Sequence, residues 1–364
     1  MASEPSVRRF PCTNCGAELT FDPASQALRC AHCGQGTPVP EEGSGRIVER
    51  DLRDGLAAAP RGLGTESRVH RCQECGANVA FPSGVTATRC SFCGSSKVLD
   101  QRASSQAIRP ESLLPFAVTK VKVNAAFGEW IGKLWFRPGN LKRLASVQEV
   151  SGVYVPFWTY DVDVESAWQA ECGRYYYEEE VKTVVEGGVT SQKLERVQKT
   201  RWERAWGRRR DRYDDLLVCA SKGLPDGLAD TLKTFDTALL RPYASGYLAG
   251  WQAEEYGIDL ESGWGVAQGR VTSEQEGRCR GDVGGDTQRN LTVDHAILRV
   301  TWKHVLFPIW IAAYRYQGKV SRFLVNGQTG EVVGKAPWSV GKIVAFVLVL
   351  AALITALVLW LQRS

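Results

Sequence analysis

The feature that most constrains this chain is a pair of cysteine quartets laid out to one rule. Cys12, Cys15, Cys30 and Cys33 form C-x2-C-x14-C-x2-C, and Cys72, Cys75, Cys90 and Cys93 repeat that spacing 60 residues later. The agreement extends to Gly16/Gly76, Ala17/Ala77, Phe21/Phe81, Arg29/Arg89 and Gly34/Gly94, so the two copies are expected to fold alike. Two residues between cysteines let a tight turn aim both sulfurs at one ion, and the glycine after each second cysteine supplies the positive φ such a turn needs.

Four thiolates fill a tetrahedron and leave no open position. The expected cofactor is therefore Zn2+, two structural ions in all, although a rubredoxin-like iron site uses similar knuckles. The segments between the knuckles read as short hairpins with Phe21 or Phe81 as an apolar plug. Such a core is too small to hold alone, and zinc ligation contributes about 10–16 kcal/mol in zinc-finger peptides. His32 and His70 flank the quartets and read as surface residues. Residues 8–36 and 68–100 are thus expected to be two zinc ribbons, and residues 37–67, rich in Gly, Pro and charge, a flexible linker.

Ile343 to Leu361 is a run of 19 residues without charge. At 1.5 Å per residue it spans about 28 Å, close to the hydrocarbon thickness of a bilayer. Trp338 and Lys342 precede it, and Trp360 and Arg363 stand at its end, the side chains expected at membrane interfaces. A transmembrane helix is predicted over 339–362. The start, MASEPSVRRF, lacks the apolar stretch of a secretory signal. The expectation is a tail-anchored, single-pass protein of the cytoplasmic (inner) membrane, its N-terminal body in the cytoplasm where thiols stay reduced.

The net charge of +5 matters less than its placement. Residues 1–100 carry 11 basic and 11 acidic side chains, and each four-thiolate zinc centre adds about two negative charges, so the ribbons are acidic where a nucleic-acid reader should be basic. The densest positive run is Arg201 to Arg212. It reads as a loop between strands, and Arg208, Arg209, Arg210 and Arg212 are candidates for contact with anionic lipid headgroups.

Residues 101–338 mix helical and strand patterns without regular alternation, which predicts an α+β domain. Helices are expected near 121–135, 139–149, 226–235, 244–257 and 259–278, the last with Leu260, Trp264, Ala267 and Val271 on one face. Strands are expected at 152–168, 173–185, 193–205, 214–220 and 295–317, with a hairpin turning at Asn326 to Gly330. Val155-Pro156-Phe157-Trp158 echoes Phe307-Pro308-Ile309-Trp310, and the prolines imply edges or bulges because proline cannot donate to a ladder.

The sequence has no H-E-x-x-H, G-x-S-x-G or P-loop, so no enzymatic activity is expected. His295 and His304, nine residues apart on one predicted strand, should face opposite ways. Cys172, Cys219 and Cys279 read as small buried residues. Gly281 to Asp286 reads as a turn closing the preceding helix.

The paired knuckles, Leu114-Pro115-Phe116, Trp135-Phe136-Arg137-Pro138, Gly152 to Trp158, Gly284-Gly285-Asp286 and Pro308 to Tyr314 together resemble a bacterial family of membrane-anchored double zinc-ribbon proteins. Its ribbons are compared with the TFIIB ribbon and with primosomal-helicase zinc regions. Some similar proteins belong with PspA-like and flotillin-like membrane-stress proteins. The resemblance implies a non-enzymatic adaptor or scaffold with protein partners of those kinds. The alternative is a nucleic-acid-binding ribbon protein tethered to the membrane.

Overall fold

The first cysteine quartet sits on a small sheet of β1 (Leu19–Asp22), β2 (Ala27–Cys30) and β3 (Gly36–Thr37), in the order β1-β2-β3. These residues come from a computed structural model that describes residues 10–42, 45–54, 67–82, 89–102, 107–137, 150–186, 189–224, 227–232, 234–316, 319–334 and 338–363. A short strand, β4 (Arg50–Asp51), leads to the second quartet, carried by β5 (Ser67–Cys72), β6 (Asn78–Pro82) and β7 (Val98–Arg102). The chain continues through β8 (Ser112–Leu113) and helix α1 (Lys120–Lys133) into two very long strands, β9 (Ser151–Glu186) and β10 (Val189–Cys219). Then come β11 (Arg241–Pro242), β12 (Gln252–Glu255), helix α2 (Leu260–Asp282), a third long strand β13 (Thr287–Tyr316), the hairpin β14 (Lys319–Asn326) and β15 (Val332–Gly334), and helix α3 (Val340–Arg363). The class is α+β, mostly sheet.

The frame is the antiparallel pair β9–β13, which runs from Thr287 opposite Gly173 to Ile311 opposite Ser151 with register shifts between Arg289 and Thr292 and between Ile297 and Arg299. Short strands dock along its two edges in succession. On the β13 edge they are β4 at Thr301 and Trp302, β8 at Val305 and Leu306, and β14 from Ile309 onward. On the β9 edge, β12 pairs in parallel at Val153 and Tyr154, and β10 pairs from Phe157 outward. β12 also pairs with β6, so the second quartet's strands extend the same sheet.

Pro156 and Pro308, expected at edges or bulges, lie in these two central strands. Each occupies the gap where one outer neighbour gives way to the next. The Pro156 carbonyl accepts from Ala220 N–H and the Pro308 carbonyl from Gly327 N–H, both at the change of partner. A missing ladder donor costs nothing there. The two echoing segments also pair with each other, Pro156 opposite Leu306 and Pro308 opposite Tyr154.

Several expected elements take other forms. The strands 152–168 and 173–185 are one strand, β9, and 193–205 and 214–220 are one strand, β10, with a bulge between Tyr213 and Leu216. The helix expected over 226–235 is reduced to a 3-10 turn at Ala229–Thr231. In place of a helix over 244–257 there is a 3-10 turn at Ser245–Leu248 followed by β12. The helix expected over 139–149 lies outside the described residues. α1, α2 and the 326–330 turn stand where expected, and α2 buries Leu260, Ala267 and Val271 against the sheet. Gly284 and Gly285, with φ of 71° and 78°, form the turn that ends α2.

The described parts of the expected linker are docked. Arg50 pairs with Glu111 at 2.6 Å, Arg109 with Glu42 at 2.9 Å, and the buried Lys303 with Glu49 at 2.9 Å. These ion pairs, with β4, hold residues 45–52 along β13.

Candidate metal centres and membrane segment

Each quartet brings its four sulfurs together within 4.8 Å of one another. Cys12 and Cys33 Sγ lie 3.5 Å apart, Cys15 and Cys30 3.5 Å, Cys72 and Cys93 3.5 Å, and Cys75 and Cys90 3.6 Å. A tetrahedron with metal–sulfur bonds of about 2.3 Å has edges of about 3.8 Å, so both sets fit a four-thiolate ion. The backbone explains the fit. In each knuckle the first cysteine's carbonyl accepts from the following glycine N–H, as in Gly16 to Cys12, Gly34 to Cys30, Gly76 to Cys72 and Gly94 to Cys90, and each of these glycines has φ between 70° and 77°.

Without a cation, four converging thiols compete for few proton positions. The backbone N–H of Gln35 holds the Cys33 thiol down at about 6, whereas hydrogen bonds shared with Cys90 and then Cys93 push Cys75 up. A divalent ion resolves the competition by displacing the protons.

The two centres differ in setting. In the first, Cys12 and Cys30 are buried and Cys15 and Cys33 exposed; in the second, Cys72, Cys90 and Cys93 are buried and Cys75 half-buried. Neither is an independent module. Phe21 packs edge-on to Tyr247 at 5.2 Å, its N–H donates to the Ala249 carbonyl, and its own carbonyl accepts from Trp251 Nε1. Cys72, Ala77, Phe81, Cys90 and Phe92 share a core with Val153, Phe157, Phe307 and Ile309 of the long strands. The Phe92 carbonyl accepts from Arg322 Nε at 2.6 Å. His32 is exposed as expected, but His70 is buried with its ring edge-on to Phe81 at 5.0 Å.

The arginine run is strand, not loop. Alternation along β10 splits it between two faces: Arg209 turns toward α2, bonding Asp211 and Asp282 at 2.6 Å each, while Arg208, Arg210 and Arg212 point the other way and are exposed. Arg209 is therefore not part of the basic surface that the sequence suggested. Trp206, 80% exposed, lies on that same outer face.

His295 and His304 share a face, contrary to expectation. A bulge between Ile297 and Arg299 shifts the alternation by one, so His295 lies opposite Ser166 and His304 opposite Trp158. The Ser166 hydroxyl meets His295 Nδ1 at 3.0 Å, and His304 Nδ1 lies 2.9 Å from the Ile108 carbonyl oxygen. Burial lowers the His304 pKa to about 4. The two rings remain many residues apart along β13. Cys172 and Cys279 are buried together near Trp168, and burial pushes the Cys219 thiol up.

α3 is a helix of 24 residues, long and apolar enough to cross a membrane, and no residue in its apolar window is buried against the body.

Fold and site together define an α+β protein with two four-cysteine clusters suited to metal and one C-terminal helix fit for a single membrane span. The chain is 28% identical over 338 residues to the uncharacterized protein YdjG of Bacillus subtilis strain 168, an alignment covering 93% of this chain and 92% of that protein. No family model matches the chain, and no solved structure matches it.

Proposed function

We propose that this protein is a membrane-anchored zinc-binding adaptor that offers a cytosolic β-ribbon to protein partners at the inner membrane. The observation that carries this reading is the outer end of the β9–β10 pair. β13 stops at Gly173, and beyond it a bare two-stranded ribbon continues to Glu186 and Val189. Its face continuous with Trp206 carries Tyr175, Tyr177, Val181 and Leu194, all exposed. The opposite face carries ion pairs, Lys199 with Glu178 and Glu180 and Lys182 with Glu195. A two-stranded ribbon is marginal in water by itself, and a stripe of exposed large apolar side chains on one is a feature of a surface that meets another protein.

Zinc suits the role, since four thiolates per site give rigidity without a reactive position. Arg208, Arg210 and Arg212 are the members of the arginine run available to an anionic surface. PspA-like and flotillin-like proteins are the first partners to test, on the family resemblance set out above.

The test is capture from solubilised membranes by the full chain and by a chain in which residues 175–200 are replaced by a tight turn. Partners retained by the first and lost by the second support the reading. An identical set from both refutes it. In parallel, the full chain should resist carbonate extraction and a chain ending at Trp338 should be released.

A further inference from the structure

The body does not meet the membrane helix through the chain connection alone. The turn that ends α1 is a second point of contact. Leu134 is anchored in the core around Phe127 and Phe323, and the next three residues turn outward to α3. The Phe136 ring meets the Phe346 ring edge-on at 5.2 Å, and the Phe136 carbonyl accepts from Ser339 N–H at 2.8 Å. The Trp135 carbonyl accepts from Lys342 Nζ at 3.1 Å. The Arg137 guanidinium stacks 3.7 Å from the centre of the Trp338 ring. Trp135 itself is 79% exposed.

Phe346 lies about 9 Å along the helix axis from Val340. A side chain packed on Phe346 from the outside is therefore level with the upper part of the hydrocarbon if α3 spans from its first turn, because the headgroup layer is only about 5–8 Å deep. The neighbours occur in the order such a depth requires. The cations Lys342 and Arg137 and the indole of Trp338 cluster at the helix start, where headgroups are, and Phe136 lies deeper. An exposed tryptophan beside them has the chemistry of an interfacial anchor rather than of a water-facing surface.

From this geometry we infer that Trp135 and Phe136 form a wedge that inserts into the leaflet entered by α3. The inference rests on the membrane-spanning reading of that helix. Its occupant is phospholipid, argued from continuity with Phe346. Its consequence is orientation: a body held at two points, the start of α3 and a turn rooted in the core through Leu134, cannot swivel freely about the start of that helix. The α1 end of the molecule is kept at the bilayer, and the tip of the β9–β10 ribbon lies at the opposite end of β9 from Ser151.

The test uses the full chain in vesicles of phosphatidylcholine and phosphatidylglycerol, with the photoreactive residue p-benzoylphenylalanine placed singly at Trp135, at Phe346 or at Leu194 of the distal ribbon. Lipid adducts are counted by mass spectrometry after illumination. The expected result is adduct at Phe346 and at Trp135 within about three-fold of each other, and at least ten-fold less at Leu194. Adduct at Phe346 with Trp135 at the Leu194 level overturns the wedge and leaves the span intact. Equal adduct at all three positions also overturns it, because the contact would not be selective. Absence of adduct at Phe346 refutes the span itself, and the wedge falls with it.

Discussion

Gly263 of α2 rests directly on the indole of Trp158: a Cβ at that position would lie 2.6 Å from Trp158 Cδ1 and 2.8 Å from the Tyr160 hydroxyl oxygen. The glycine thus sets how closely the long helix approaches the sheet. Gly265, two residues on, has nothing within 4 Å of its Cβ direction. Gly263→Val should destabilise by about 1–3 kcal/mol through overpacking. Gly265→Ala should stabilise by about 0.5–1 kcal/mol through helix propensity alone. Urea midpoints of the two variants in detergent should move in opposite directions, and a shared sign would contradict the packing described.

The two metal centres should release their ions in order. Exposed Cys15 and Cys33 leave the first cluster open to attack, whereas three of the four cysteines of the second are buried in the core shared with the long strands. A chromogenic chelator should therefore report two phases of similar amplitude, together close to two equivalents of metal. Cys33→Ser should remove the fast phase, and Cys93→Ser the slow one with the larger fall in thermal midpoint. A single phase would show that burial does not govern release.

Glu254 gives the fold a pH dependence whose sign can be worked out. It is 1% exposed on β12, neither carboxylate oxygen has an aligned donor, and burial, only partly offset by the Ser221 hydroxyl and the Gly223 amide, pushes its pKa up to about 8. The folded state holds the proton more tightly than the unfolded chain, whose glutamate titrates near 4.5. Its contribution to stability is therefore fully present below about pH 4.5 and is lost as pH rises toward 8, by about 1.4 kcal/mol per pH unit within that window. Glu254→Gln, which cannot ionise, should match wild type near pH 4.5 and exceed it increasingly up to pH 8. Melting curves across that range check it, and a constant difference would exclude ionisation as the cause.

Much of the architecture was legible because its causes are local. A C-x2-C pair followed by glycine closes its own turn, and two such pairs need only a short hairpin to converge, so all eight clustered cysteines could be read directly. The apolar run of α3 and the one-faced pattern of α2 are likewise properties of neighbouring residues. The arginine run was misplaced because its charge density resembles a loop, and five consecutive charged residues from Arg208 to Arg212 carry no apolar–polar alternation that would mark a strand. The pairing of His295 and His304 on one face had no such signal, since nothing near Ile297 announces a bulge.

By itself, then, the sequence determined the two sulfur clusters, the apolar terminal helix and the α+β class, all of which depend on contacts a few residues apart. Tertiary structure alone decided that the second cysteine ribbon is welded into the main sheet and the first packed against Tyr247 and Trp251, that Glu49 and Arg50 of the described stretch between them are paired to Lys303 and Glu111, and that Phe136 reaches Phe346. Those outcomes depend on which distant strands pair and in what register. One bulge or a one-residue slip in register reverses the direction of every side chain beyond it, and no local pattern records that choice.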